Sequence, residues 1–200
     1  LRGRKTFITN GPDAHCFLVY AKINDKITAF LVDRTCPGFS TGPHIEKMGM
    51  RAAPMCELLF DDCLVPVQNL LGEEGSGVTH MMRNLEIERL CLAAMSLGIA
   101  DRCLDIMLRY CTERHAFGKP IAEHQGILFR LADMATKVEA SHQMMVKAAR
   151  LKDSGARNDL EAGMAKYLAA ENCADVVEQS FRIHGGYGYS KEYEIERLYR

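Results

Sequence analysis

The sequence predicts an α+β chain, with a partial β-barrel or sandwich piece over residues 1–72 and an antiparallel four-helix-bundle piece over residues 73–200. Three observations predict it. The first 70 residues carry short apolar runs cut by Pro37-Gly38, Gly42-Pro43 and Pro66. From about residue 76 the apolar residues recur at three- and four-residue steps through long stretches that only Pro120 and Ser154-Gly155 interrupt. No βαβ rhythm and no Gly-x-Gly-x-x-Gly after a strand occurs, which argues against a Rossmann nucleotide site.

Taken in order, Thr6-Phe7-Ile8-Thr9 reads as a strand ending at Asn10-Gly11, a pair that takes positive φ at little cost. Residues 16–23 and 27–32 flank Asn24-Asp25-Lys26 and read as a hairpin, and residues 56–60 form a further short strand. A first helix is predicted over 78–114, a second over 123–152 and a third over 159–184. The second carries the stripe Ile127, Leu131, Met134, Val138, Met145 and Ala148; the third stops at Gly185-Gly186, a C-terminal cap. A fourth helix is predicted from Lys191. Long antiparallel helices joined by short loops make a bundle.

Composition narrows the function. Twenty-six acidic residues against 25 basic ones leave a formal charge of -1, which argues against a nucleic-acid groove or an anionic membrane as the main partner. No apolar run approaches the ~18 residues of a membrane span. Eight cysteines are scattered at 16, 36, 56, 63, 91, 103, 111 and 173 without a Cys-x-x-Cys pair, so they read as buried thiols of a reducing compartment. The seven histidines make no His-x-x-x-His pair, leaving metal catalysis without support. The eleven methionines read as core filler. No targeting segment is visible, and the chain opens on Leu1 within a strand pattern, so it reads as a fragment.

Three constellations carry possible chemistry. Glu88 interrupts the apolar row Met81, Leu85, Leu92 and Met95, whose spacing puts all five residues on one stripe. It is either a general base in an apolar setting or a rim carboxylate that meets an arginine. Glu86 lies three residues after Arg83 and reads as half of a solvated ion pair. The run His184-Gly185-Gly186-Tyr187-Gly188-Tyr189 is either a plain helix cap or a place where backbone N–H groups approach an anion. The stretch at 113–120 is either a bland loop or an arginine-bearing phosphate grip through Arg114.

Together these pieces resemble one family. Phe7-Ile8-Thr9-Asn10-Gly11, Met48-Gly49-Met50-Arg51 and residues 57–66 (ELLFDDCLVP) resemble the middle β domain of the acyl-CoA dehydrogenases. Residues 85–93, 113–120, Glu123-His124-Gln125 and 185–188 resemble its C-terminal helical domain. Each motif is weak alone, but the ordered set is specific.

The resemblance implies FAD as cofactor, lying between the β domain and the bundle. Phe7, Ile8 and Thr9 match the stretch that packs on the flavin ring; the usual residue at Phe7 is Trp. Arg114, Gln125, Arg182, His184, Gly185 and Gly186 match residues that contact the FAD of a neighbouring subunit, implying a homotetramer. The family often has Gln at Arg182 and Asn at Tyr187. Ile87-Glu88-Arg89-Leu90 resembles the isovaleryl-CoA dehydrogenase branch, which carries its catalytic base on this helix. Most of the family carries it on a later loop. Glu86, Ile87 and Arg89 match residues at the acyl-CoA mouth, and Arg157 matches one near the CoA adenine end. The implied reaction is α,β-dehydrogenation of an acyl-CoA thioester. Glu88 takes the α-proton, hydride passes to the flavin and electrons pass to electron-transfer flavoprotein. A loop base beyond residue 200, a flavin oxidase or monooxygenase, and a non-catalytic association domain are the alternatives. The expected location is cytoplasmic in a bacterium and the mitochondrial matrix in a eukaryote.

Overall fold

A computed structural model describes residues 1–200, which divide into two compact units, Leu1–Arg83 and Asn84–Arg200. The first holds six strands: β1 (Gly3–Thr9), β2 (Cys16–Ile23), β3 (Lys26–Asp33), β4 (Phe39–Thr41), β5 (Met55–Phe60) and β6 (Leu70–Leu71). They form two antiparallel three-stranded sheets, β1-β5-β4 and β2-β3-β6, so the piece is an open two-sheet arrangement and not a closed barrel. Alternation along β2 buries Phe17 and Val19. These join Phe30 and Val32 of the same sheet and Cys56, Leu58 and Phe60 of the other in one core. Phe39 bridges the sheets, its ring 4.8 Å from Phe17 and 5.2 Å from Phe60.

The β2–β3 register pairs Ile23 with Lys26, leaving a two-residue loop. Asn24 and Asp25 both take positive φ, 48° and 64°, as a type I′ turn demands and as these side chains tolerate. Lys26, expected in the turn, therefore belongs to the strand.

The second unit is helical. The first helix, α1 (Gly77–Glu113), is followed by α2 (Gln125–Asp153) and α3 (Asp159–His184). Ala93, Leu97, Ala100, Cys103, Met107 and Cys111 form the buried stripe of α1 and pack with Leu131, Met134, Val138, Ala165, Ala169, Val176 and Val177. The close approach is between α2 and α3, where Ala165 and Ala169 leave room for it. Polar groups tie α2 to α3. Lys137 Nζ lies 2.6 Å from Asp133 and 2.7 Å from Asp175, and Asn172 Nδ2 donates to Ser141 Oγ at 2.9 Å.

Three expectations change. The fourth helix does not run from Lys191; a single turn, α4 (Gly186–Tyr189), is followed by a break and a short α5 (Ile195–Tyr199). Ile195 is fully buried, and Glu194 accepts two bonds from the Arg102 guanidinium, at 3.0 and 2.6 Å, holding this end to α1. The 113–120 stretch is not a plain loop but a tiny hairpin of β7 (His115–Ala116) and β8 (Lys119–Pro120). Finally, all eight cysteines are free, but only five are buried; Cys16 and Cys91 are exposed and Cys36 is half-buried. Burial pushes the Cys103 thiol up to about 12 and the Cys111 thiol up to about 11, so both stay protonated and unreactive. No helix is long and apolar enough to cross a membrane, and no three His, Cys, Asp or Glu side chains gather as a metal site.

Met107 tests the bundle core. It is fully buried in the α1 stripe, so Met107→Ala in the full-length protein should cost about 2–5 kcal/mol of stability in chemical denaturation. A loss under about 1 kcal/mol would mean that the layer closes around the gap.

Candidate functional site

In the first unit the candidate residues sit on an irregular strand. Lys5 pairs with Leu58 and Ile8 with Cys56, so Thr6 and Phe7 together face Glu57 in a β-bulge. Phe7 takes φ +56°, strained for an aromatic residue, and is 67% exposed. Ile8 is half-buried and Thr9 exposed. The bulge thus spends conformational strain on presenting a flat ring outward.

Its neighbourhood is locked from below. A Cβ on Gly11 would meet Cys56 Sγ at 2.6 Å and Ile8 O at 3.0 Å, so only glycine fits. Arg34 donates to the carbonyls of Ala14 at 2.7 Å, Gly11 at 2.6 Å and Pro12 at 2.7 Å, with its guanidinium 5.7 Å from the centre of the Phe17 ring. Sequence reasoning missed Arg34, since a residue just after β3 gripping a turn twenty positions earlier leaves no local pattern.

In the second unit the acidic candidates lie near the start of the α1 segment. Glu86 does not pair with Arg83; its carboxylate takes Lys152 Nζ of α2 at 2.8 Å. That partner is distant in sequence and so invisible to an i,i+3 argument. Glu88 is exposed, and no basic group lies within ion-pair distance of it. The stripe it shares is not the core stripe: Leu92 and Met95 are themselves exposed, while burial falls on Ala93 and Leu97. α1 is apolar on more than one face, and Glu88 stands outside the face that forms the bundle core. Ile87 is also exposed, and Arg89 is half-buried. Arg157 is exposed and held by Asp159 at 2.6 Å.

Four other candidates, Arg114, His184, Gly185 and Gly186, converge on a cavity of about 520 Å³ where α1 and α3 end. Tyr110, Arg114, His184, Gly185, Gly186 and Tyr187 line it. The size is that of a small-molecule site. Arg114 follows the last residue of α1, and its guanidinium lies 5.6 Å from the centre of the Tyr187 ring. Tyr110 stacks on His184 with 4.2 Å between ring centres and donates to the His184 carbonyl at 3.4 Å. Gly185 ends α3 at φ +59°, a conformation that favours glycine, and its N–H returns to Arg182 O at 3.1 Å. With its neighbour Gly186 it leaves that wall without side chains.

His184 is 2% exposed. Nδ1 lies 2.8 Å from Ser180 O, while Nε2 is buried without a partner. Burial lowers its pKa, and the Ser180 bond offsets that only in part. A cation, two aromatic rings and bare backbone suit an anionic, partly aromatic ligand.

Two candidates stand apart from this cavity. Gln125 is the exposed first residue of α2. Arg182 is exposed and paired with Glu178 at 2.5 Å, so part of its charge is already used. Tyr110 was missed although it lies four residues before Arg114, on the same helical face. Phe117 was passed over as well. It caps the β7–β8 hairpin at φ +53° and is 96% exposed, so it is strained and unpacked.

Comparisons with known proteins show the family. The family model of the acyl-CoA dehydrogenase middle domain matches residues 1–63, and that of the C-terminal domain matches residues 75–200. The caffeyl-CoA reductase-Etf complex subunit CarC of Acetobacterium woodii is 42% identical over all of this chain and 54% of its own length. The mitochondrial isovaleryl-CoA dehydrogenase of Oryza sativa subsp. japonica is 42% identical over all of this chain and 50% of its own. An acyl-CoA dehydrogenase of Bacillus anthracis, solved in complex with FAD, superposes with a TM-score of 0.93 at 34% identity, over all of this chain and 38% of that one. The chain spans about half the length of the curated relatives it matches. With family models covering most of its residues, the chain belongs to the acyl-CoA dehydrogenase family.

Proposed function

We propose that this chain is the C-terminal part of the middle domain (1–72) and part of the helical domain (73–200) of an FAD-dependent acyl-CoA dehydrogenase, with Glu88 as the base. The observation that carries the base assignment is Glu88 itself. It lies in Ile87-Glu88-Arg89-Leu90, without an ionic partner, on an α1 face whose apolar neighbours Leu92 and Met95 are exposed. A carboxylate already neutralised by an ion pair makes a poor proton acceptor. Glu86 is held by Lys152, which leaves Glu88 as the available carboxylate of this stretch.

The carbon α to a thioester is weakly acidic, and charge builds on the thioester oxygen as the proton leaves. Glu88 accepts that proton. Ile87 supplies apolar contact to the acyl group, while Glu86 and Arg89 flank the mouth. Arg157 stands toward the CoA end, its charge shared with Asp159. Bound FAD supplies the acceptor for the β-hydrogen, and electron-transfer flavoprotein takes the electrons onward. Phe7, Ile8 and Thr9 meet the flavin ring, the exposed Phe7 ring offering a flat face.

The cavity at Arg114 suits the adenosine diphosphate half of FAD. Arg114 would hold the phosphates, and Gly185 and Gly186 would allow their close backbone approach. Arg182 and Gln125 contribute from its margin. We further propose that this FAD belongs to a neighbouring subunit and that the holoprotein is a homotetramer. A second reading runs the reaction backward, with Glu88 returning a proton to an α,β-unsaturated acyl-CoA. A 42% identical relative named as a caffeyl-CoA reductase subunit favours it.

In the full-length protein, Glu88→Gln should bind FAD and acyl-CoA normally. Its flavin reduction, followed by rapid-mixing absorbance, should be slower by about 10²–10⁴. Glu86→Gln should change that rate far less. Reduction of Glu88→Gln at the parental rate would place the base elsewhere. Arg114→Ala should weaken FAD binding by about 1.5–3 kcal/mol in calorimetric titration of the apoprotein; unchanged affinity rejects its phosphate role. Sedimentation of the holoprotein should give a tetramer, and a strict monomer would sink the shared-cofactor arrangement.

A further inference from the structure

Arg34, the residue after β3, spends its fork on carbonyls of the turn that joins β1 to β2. Nε donates to Ala14 O at 2.7 Å, and Nη2 to Gly11 O at 2.6 Å and Pro12 O at 2.7 Å. Its backbone N–H adds a bond to His15 O at 2.8 Å. Its guanidinium lies 5.7 Å from the centre of the buried Phe17 ring. A planar fork suits several fixed acceptors at once, where a lysine offers one compact head. A half-buried charge divided among three carbonyls of one turn fixes the shape of that turn.

The grip reaches the candidate flavin contact through backbone alone. Gly11 N–H donates to Ile8 O at 3.2 Å and Asn10 N–H to Pro54 O at 2.7 Å, while the N–H groups of Asp13 and Ala14 donate to Asn10 O at 3.0 and 2.8 Å. Gly11 has no slack, since a Cβ there would meet Cys56 Sγ at 2.6 Å. Between this turn and the Thr6–Phe7 bulge only two residues pair with β5, Ile8 with Cys56 and Thr9 with Met55. Phe7, at the far end of that stretch, holds φ +56°, and such strain persists only where the surroundings over-determine it. Two ladder pairs are a short hold for a strained aromatic residue. We infer that Arg34 is a positioning residue for the flavin-facing edge: by fixing the Gly11–Ala14 turn it sets the backbone of Phe7, Ile8 and Thr9 before any cofactor binds. This rests on the reading of those three residues as the flavin contact. Arg34 touches neither cofactor nor substrate on this account and acts through Gly11 and Ile8.

The test uses the full-length protein with and without FAD. In the parental apoprotein the Gly11, Asp13 and Ala14 amides should exchange with deuterium as slowly as in the holoprotein, because the turn is already set. Protection that appears only when FAD binds overturns the inference, since the cofactor and not Arg34 would then order the edge. Arg34→Lys keeps the charge and loses the fork. In its apoprotein those amides should exchange about tenfold or more faster, with the β2 and β3 amides at the parental rate. Its holoprotein should show a shifted flavin absorption spectrum and, at saturating acyl-CoA, flavin reduction about tenfold or more slower. A role confined to stability would lower the melting temperature and leave the spectrum and reduction rate of the bound flavin parental, and that result overturns the inference. Phe7→Ala separates the inference from the reading beneath it. If Phe7→Ala leaves the flavin spectrum unchanged, the edge does not face the flavin and the underlying reading falls. If Phe7→Ala shifts the spectrum while Arg34→Lys does not, only the inference falls. Should Arg34→Lys fail to fold, the comparison of parental apoprotein and holoprotein decides alone.

Discussion

The second unit depends on the fit of the α1 stripe Ala93–Leu97–Ala100–Cys103–Met107–Cys111 against α2 and α3. The side chains of that layer are buried against those of α2 and α3, so the ends of the helices are fixed relative to one another. Everything the cavity offers follows from where α1 and α3 stop. Arg114 is the first residue after α1, and His184 is the last of α3. The Tyr110–His184 stack joins the two ends. A shift of one helix by a turn would separate the cation from the glycine wall. This packed core is therefore a positioning device as much as a source of stability.

The first unit shows a different economy. Its sheets are regular where they only pack, as in the unbroken β2–β3 register. They are irregular where they face outward with a candidate role, as at the Thr6–Phe7 bulge. Phe7 in the left-handed region is tolerated because β5 pairing holds the strand on both sides and Arg34 holds the following turn. The same logic applies to Phe117, a strained and exposed aromatic at the tip of a two-residue turn.

Local signals make much of this legible in the sequence. The bounds of β2 and α3 follow from Asn24-Asp25 and Gly185, residues whose backbone preferences punctuate the chain. The gathering of Arg114, His184, Gly185 and Gly186 was legible through resemblance alone. What stayed hidden is non-local. The partner of Glu86 comes from α2, and the grip of Arg34 spans twenty residues. The stripe through Glu88 looked like the core because α1 is apolar on two faces, and periodicity cannot say which one the bundle covers. The fourth helix failed for a simpler reason: the residues after Gly188 turn through Ser190 before Ile195 can bury itself.

The central claim is that an unpaired carboxylate on a helix, not a later loop, takes the α-proton. The most direct measurement is the distance from the Glu88 carboxylate to the substrate α-carbon in the full-length protein, with FAD and a non-reacting acyl-CoA analogue bound. This account predicts about 3–3.5 Å, the separation of groups poised to react. A Glu88 carboxylate remote from the α-carbon, with another carboxylate in its place, would contradict it.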